Sequence, residues 1–203
     1  MEVLRINAQE TYPWLLEKHY AKRIPNIMFA FGLYDEKVLK GIVTYGMPAS
    51  PSLCKGVCGE EYKDKVIELN RLCLLENNKN ESSILVSHSI KLLPKPLIIV
   101  SYADDGQGHV GYVYQATNFF FTGTTKERTD MAGEDGKHSR HSFGDSSKRV
   151  HRSAKHRYVF FHGSKTDKKI MKSKLNYEIL PYPKGDSKRY DAGGNVITQD
   201  LLF

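Results

Sequence analysis

Apolar and polar positions alternate most clearly over residues 66–75, VIELNRLCLL, which predicts a strand. Val66, Glu68, Asn70, Leu72 and Leu74 share one face of it, and Ile67, Leu69, Arg71 and Cys73 share the other. Glu76 to Glu81 is a turn, and Asn80 or Ser82 can cap a following helix. That helix carries Ile84, Leu85, His88 and Leu92 as its stripe and runs to about Leu93, where Pro94 and Pro96 stop it. Residues 97–103, LIIVSYA, read as a buried strand. Strand, helix and strand in this order make a right-handed unit with parallel strands.

The flanking pattern is more broken. Residues 9–20 predict a short helix with Pro13 near its first turn. Asn26–Tyr34 and Lys40–Tyr45 predict a hairpin around Tyr34 to Lys37. Residues 46–60, rich in Gly, Pro and Ser, read as a loop. Further on, a short helix is expected at 109–118, strands at 119–122 and 157–162, a basic helix at 166–175 and a strand at 177–182. Residues 124–156 read as a long polar excursion from a single domain spanning 1–203, and 185–203 as a loosely specified tail.

Charge changes this picture. The chain carries +7 in total, but residues 137–174 hold 12 Lys and Arg against Asp145 and Asp167, a net of +10, so the remainder is −3. Five of the eight histidines lie in the same stretch. Positive charge gathered in one place draws polyphosphate, and a nucleic acid is the expected partner. The alternative is a solvated basic loop.

Other function classes fall away. No apolar run is long enough for a membrane span, and the first residues lack the layout of a signal peptide. Three cysteines make no disulfide framework, and Cys54 and Cys58 have no second Cys/His pair beside them. Free thiols in a reducing cytosol are expected.

Ligands of such sheets bind beyond the carboxyl ends of the strands. At the first of these tips, Lys79, Asn80, Ser82 and Ser83 surround a helix start that can hold an anion; an ordinary capped helix is the alternative. At the second, Ser101 to His109 brings Asp104 and His109 to a strand end, which suits acid–base work or metal binding; an Asx turn is the alternative. Glu68 and Arg71 interrupt an apolar strand on opposite faces, so each needs a partner elsewhere or a ligand. His19 and Tyr20 form a polar-aromatic pair without an evident partner.

The runs ELNRLCLLENNKNESSILVSHSIKLL, VSYADDGQGHVGYVYQATNFFFTG, HRYVFFHG and LPYPK resemble the Mom family of phage DNA-modification proteins over roughly residues 21–184. The resemblance implies an α/β (α+β) fold like that of GNAT acyltransferases: a mixed, mainly antiparallel central sheet flanked by helices, with a parallel splayed strand pair. It implies conversion of adenine N6 in DNA to N6-methylcarbamoyl-adenine, protecting phage DNA from restriction in the bacterial cytoplasm. Acetyl-CoA as donor or cofactor and iron(II) are implied with it. Strand 66–75 would be central, with Leu72, Leu74, Lys79, Asn80, Ser82 and Ser83 at the cofactor. The loop departs from the GNAT pattern Q/R-x-x-G-x-G/A in having no glycine.

Chemistry on that amine needs a flipped base and a proton acceptor. Glu68 and Asp104 are the candidate bases, Ser101 a hydrogen-bond donor, Tyr114 the aromatic of the site, and His109 a further catalytic candidate. His19, Asp104 and His109 are the candidate metal ligands. Arg140, Lys148, Arg149, Arg152, Lys155 and Arg157 are expected to grip DNA phosphates, positioning rather than specifying. A GNAT-like N-acetyltransferase acting on a protein, RNA or small amine, a non-enzymatic DNA-binding protein and a His-rich metal-dependent nuclease are the competing readings. The oligomeric state is open, a dimer included.

Overall fold

Seven strands form one sheet, in the spatial order Glu2–Ile6, Phe29–Asp35, Val38–Gly46, Val66–Leu74, Leu97–Asp104, Lys155–His162 and Phe120–Thr124. The structure is a computed structural model and describes residues 1–131, 149–185, 189–190 and 196–197. The strands are β1 (Glu2–Ile6), β2 (Phe29–Asp35), β3 (Val38–Gly46), β4 (Val66–Leu74), β5 (Leu97–Asp104), β6 (Phe120–Thr124) and β9 (Lys155–His162). All neighbours are antiparallel except β4 and β5. The mixed, mainly antiparallel sheet with one parallel pair is therefore present. The sequence reading had not included β1.

The parallel pair needs a crossover, and α2 (Glu81–Leu92) supplies it. Helix α2, through Leu85, and α3 (Tyr112–Ala116) cover one face over Phe31, Val43, Tyr45, Ile67, Leu69 and Ile99. The other face carries α1 (Pro51–Cys58) and α4 (Lys165–Ser173) over Val66, Ile98, Val100 and Phe161, with Trp14 and Leu15 packed on Ile42 and Cys73 beside them. Inside the second layer Cys54 and Cys58 are buried free thiols.

Several expectations change. Helix 9–20 is broken: a 3₁₀ turn, Ala8–Thr11, is closed by a capping box of Asn7 and Glu10, and a π turn, Trp14–Lys18, follows. Pro13 lies between them and lacks the N–H that would continue the ladder. Residues 46–60 are not all loop, because Ser50 caps α1 through the Leu53 N–H and Pro51 sits at its first position, where no N–H is needed. The hairpin turn lies at Glu36 and Lys37, both at positive φ. Residues 177–182 form no strand. That segment runs along β6, with Leu180 N–H on the Phe121 carbonyl and the Tyr182 hydroxyl on the Phe119 carbonyl. Prolines at 181 and 183 remove the donors a further ladder requires.

The polar excursion begins and ends as structure. Strands β7 (Arg128–Met131) and β8 (Arg149–Arg152) pair antiparallel into a ribbon between β6 and β9. A two-residue pair, β10 (Arg189–Tyr190) and β11 (Val196–Ile197), lies in the tail. Among the described residues no helix is long and apolar enough to cross a membrane.

Candidate functional site

Strands β4 and β5 pair only from Val66 to Glu68 against Ile98 to Val100. Past that point they separate, and the carbonyl of Leu69 has no β5 N–H to accept from. The buried Ser101 hydroxyl takes its place, donating to Leu69 O at 2.9 Å. Ser101 also reaches the hydroxyl of Tyr114, whose ring packs against Phe119 and Tyr158 with centroids at 5.5 and 5.2 Å. Burial holds that phenol protonated. Tyr114 is thus a floor of the split, with no free face for a stacked base.

On β4 the bulge decides which charges meet. Thr44 pairs with Arg71 and Tyr45 with Leu69, so Asn70 is an extra residue. Its side chain is held on both ends, accepting from Thr44 Oγ1 at 2.6 Å and donating to Asn26 O at 2.8 Å. The inserted residue reverses the alternation. Ile67 and Leu69 face α2 before it, and Leu72 and Leu74 face α2 after it, while Cys73 packs with Trp14 on the other side. Glu68 and Arg71 therefore stand on the same face, which corrects the opposite-face expectation.

Burial raises the Glu68 carboxyl to about 7, with Arg71 first and then Arg23 and Lys155 pulling it down, and the Ala49 N–H hydrogen-bonded to it. Burial likewise lowers Arg71 and Arg23, each lowered further by a neighbouring arginine. Arg71 gives one terminal N–H to its neighbour, Asn70 O at 2.6 Å, but its buried Nε has no hydrogen-bond partner.

The end of the π turn makes a second wall. His19 is buried and stacks on Tyr20, ring centroids 4.4 Å apart, and Tyr20 meets His109 edge-on at 6.1 Å. Burial, with Arg71 next, drives His19 down to about 3, so it is neutral. Its Nδ1 accepts from Ala21 N–H at 3.0 Å, which puts the ring proton on Nε2. Tyr20 is half exposed and offers the open aromatic face that Tyr114 does not.

Asp104 is already engaged. Its carboxylate accepts from the Ser153 hydroxyl and the Lys155 ammonium, and from Gly106 N–H at 3.1 Å. Burial pushes it up, but these bonds outweigh burial and hold it below the usual carboxylate range. Asp105 N–H adds a bond to Ala154 O at 3.1 Å. These contacts pin the foot of β8 to the end of β5, so Lys155 is an ion-pair partner of Asp104 rather than a free phosphate ligand. His109 is lowered by burial.

The other expected phosphate ligands separate. Arg157 donates to Thr122 Oγ1 at 3.0 Å and Thr122 O at 2.7 Å and lies over the Tyr177 ring at 3.4 Å, a structural role. Arg152 closes the ribbon opposite Arg128 and lies within electrostatic reach of Arg23. Arg149 belongs to β8. Arg140 and Lys148 lie outside the described residues.

In the loop before α2, Asn77 and Asn80 adopt left-handed φ of 53° and 68°, the conformation that glycine would otherwise supply. Asn tolerates it better than other side chains. The buried Glu81 carboxylate turns back and takes Asn78 N–H at 2.7 Å and Asn78 Nδ2 at 3.1 Å. Ser83 is turned onto Asn80 O at 3.0 Å. Lys79 and Ser82 stand at the same helix start, Lys79 exposed. A pyrophosphate does not fit this arrangement, because a carboxylate of the same sign already fills the loop. Iron fits no better: among the described residues no three His, Cys, Asp or Glu side chains come together to hold a metal ion, so His19, Asp104 and His109 are not a ligand set.

The profile of the Mom protein family matches residues 1–184. The chain belongs to that family. It is similar to the methylcarbamoylase Mom of Escherichia phage Mu, 27% identical over 189 residues that cover 82% of this chain and 77% of that protein. Solved structures of similar shape include an N-acetyltransferase from Staphylococcus aureus Mu50, with TM-score 0.46, 8% identity and coverage of 79% of this chain and 100% of that one. The GNAT-like decarboxylase GphF in complex with isobutyryl-CoA gives TM-score 0.46, 11% identity and coverage of 79% and 99%.

Within this Mom-family site, sequence reasoning missed Arg23, Asn70 and Ser153. Arg23 sits in a stretch with no periodicity, and Ser153 in the excursion. Asn70 offered one signal: an amide within an apolar strand, a residue type depleted in strands.

Proposed function

We propose that this Mom-family chain is a transferase that modifies adenine in DNA, leaving a carbamoylmethyl group on N6 (N6-methylcarbamoyl-adenine) and shielding phage DNA from restriction. One observation carries the reading. Glu68, a carboxylate poised near pH 7, faces the split between β4 and β5 together with Arg71 and Arg23, close to the foot of a basic ribbon.

The ribbon suits a DNA groove, which admits two antiparallel strands. An adenine extruded beneath it would meet Tyr20 as a stacking face, at a cost of about a few kcal/mol for unstacking. The N6 lone pair is delocalised into the ring, so the amine needs its proton removed as it attacks. Glu68 accepts that proton. N6 gains the bond to the methylene carbon of the transferred group, and the donor's leaving group departs with the bonding pair. The Ser101 hydroxyl is given to Leu69 O and the Tyr114 hydroxyl to Ser101, so the two fix the floor of the split and shape the space in which the donor lies. His19, fixed as the Nε2–H tautomer, is a donor and not an acid–base group near neutral pH.

Acetyl-CoA and iron(II) are not used in these steps, since neither the loop before α2 nor His19, Asp104 and His109 fits them as described. The test is mass spectrometry of nucleosides from cells expressing the chain. Modified adenine with the mass of a carbamoylmethyl adduct is expected, and its absence at full expression overturns the reading.

A further inference from the structure

Arginine side chains normally place all their N–H groups on acceptors or in water. Arg71 Nε is buried and has neither. The bulge at Asn70 aims Arg71 at the same side as Glu68, where Arg23 comes near enough for the two guanidiniums to repel. Arg152, at the foot of the ribbon, repels Arg23 in turn. The acid facing Arg71 and Arg23 is Glu68, with the Tyr20 hydroxyl beside it. Two guanidiniums, Arg71 and Arg23, share one carboxylate, and the buried Nε of Arg71 is left unsatisfied, which describes a place that lacks an anion, with Arg152 at its outer end.

We propose that Arg152, Arg23 and Arg71 form a phosphate track leading from the foot of the β7–β8 ribbon into the split between β4 and β5. The ligand is the phosphodiester backbone of the strand that carries the target base. Planar guanidinium forks bind phosphate oxygens in pairs, and the buried Nε of Arg71 is the inner donor of one such fork. The track holds the backbone on either side of the extruded nucleotide, so the base can leave the duplex without the strand losing its grip. It rests on the reading of the site as DNA-modifying and adds to it the path of the strand.

The experiment is fluorescence anisotropy of the full chain with a labelled single-stranded oligonucleotide carrying one adenine, measured across a salt series. Wild type, Arg23→Gln, Arg71→Gln, Arg152→Gln and Arg71→Lys are compared, each checked for wild-type thermal unfolding. The slope of log affinity against log salt should shrink by about 0.7 for each arginine replaced by glutamine. Arg71→Lys should keep the slope and lose affinity, because it keeps the charge and loses the fork. Unchanged slopes in the folded glutamine variants overturn the track. Should Arg71→Gln fail to fold, Arg23→Gln and Arg152→Gln decide alone.

Calorimetry with inorganic phosphate and pyrophosphate separates the two sources of the anion. Arginine-dependent binding of either, with unchanged DNA slopes, assigns the pocket to a small phosphate ester and overturns the strand path. Nucleoside mass spectrometry on wild type is the separate readout of the enzymatic reading. Slopes that fall as expected with no modified adenine sink that reading and leave the track standing.

Discussion

Glu68 and Arg71 stand on the same face of β4 although three positions separate them, because Asn70 is an extra residue in the strand. That places a carboxylate and a guanidinium together where strict alternation would have driven one into the α2 core. The pair is surrounded by groups whose ionisation is set by burial, and its chemistry can be read through pH.

Glu68 titrates near 7 when folded and near the ordinary carboxylate value when unfolded. As a base it acts when ionised, so the modification rate of wild type should rise as pH passes upward through about 7 and then level off. Glu68→Gln should remove modification at every pH. Its folded pKa is raised, so its contribution to stability is fully present at low pH and is lost as pH rises through 7. Wild type should therefore lose thermal stability between about pH 5 and 8 more steeply than Glu68→Gln. Parallel melting curves for the two proteins, or full activity in the variant, contradict the assignment.

Asp104 and Lys155 act as one clasp with Ser153. Asp104→Asn and Lys155→Met should each cost about 2 kcal/mol of stability, the range for a charge-assisted bond. Both should depress modification sharply, and the double variant should be no worse than either single one, since the two share one interaction. Chemical denaturation and nucleoside mass spectrometry measure the two effects. Strict additivity would separate their roles. His109→Ala should also lower modification, because its ring steadies Tyr20, the proposed stacking face; wild-type modification in both His109→Ala and Asp104→Ala would leave this strand end without a part in the reaction.

Gly46 pairs with Glu68, and a Cβ placed on it would lie 1.9 Å from the backbone carbonyl oxygen of Asn26. A backbone atom cannot swing aside as a side chain can. Gly46→Ala should destabilise the chain by about 1–3 kcal/mol and loosen residues 20–28, lowering modification beyond the loss of folded protein. Hydrogen exchange at those residues is the check, and unaltered protection there would disprove the coupling.

Asn80 holds the turn before α2 at φ 68°. Asn80→Val should cost about 1–2 kcal/mol, and Asn80→Gly far less, by urea unfolding. Glu81→Gln removes the charge that fills the loop, so in isothermal titration acetyl-CoA should bind this variant more tightly than wild type. If Ser82 and Ser83 hold the cofactor despite Glu81, their double alanine variant should bind acetyl-CoA more weakly than wild type, and no detectable binding by either protein would sink the cofactor role of this loop. Tighter binding by wild type than by Glu81→Gln would return the loop to a cofactor role.

The sequence made β4, α2 and β5 readable because each carries a long apolar pattern with one period, bounded by Asn and Pro. Helix α1 hid behind its own composition: Ser50 and Pro51 are a helix start, but Gly, Pro and Ser also crowd loops. Glu68 and Ser101 lie where β4 and β5 part, with Tyr114 beneath, while Asp104 is held by Ser153 and Lys155 and His109 lies against Tyr20. What the pattern cannot carry is parity after a bulge, since one inserted residue changes no composition. Nor can it tell a cation that meets a phosphate from one that meets a carboxylate, as Lys155 does, or an aromatic ring, as Arg157 does. Both outcomes depend on residues distant in sequence: Asp104 lies 51 positions from Lys155 and is brought close by the register of β5 and β9, and Tyr177 follows α4.

The two borders of the sheet are unlike. Residues 177–182 run along β6, with Leu180 N–H bonded to its backbone, whereas β1, with Leu4 exposed, has no neighbour on its outer side among the described residues. A sheet that can be extended on one border only admits a single additional copy by strand pairing. Backbone pairing through the outer side of β1 would join two copies about a two-fold axis, since the strap 177–182 lies along the other border.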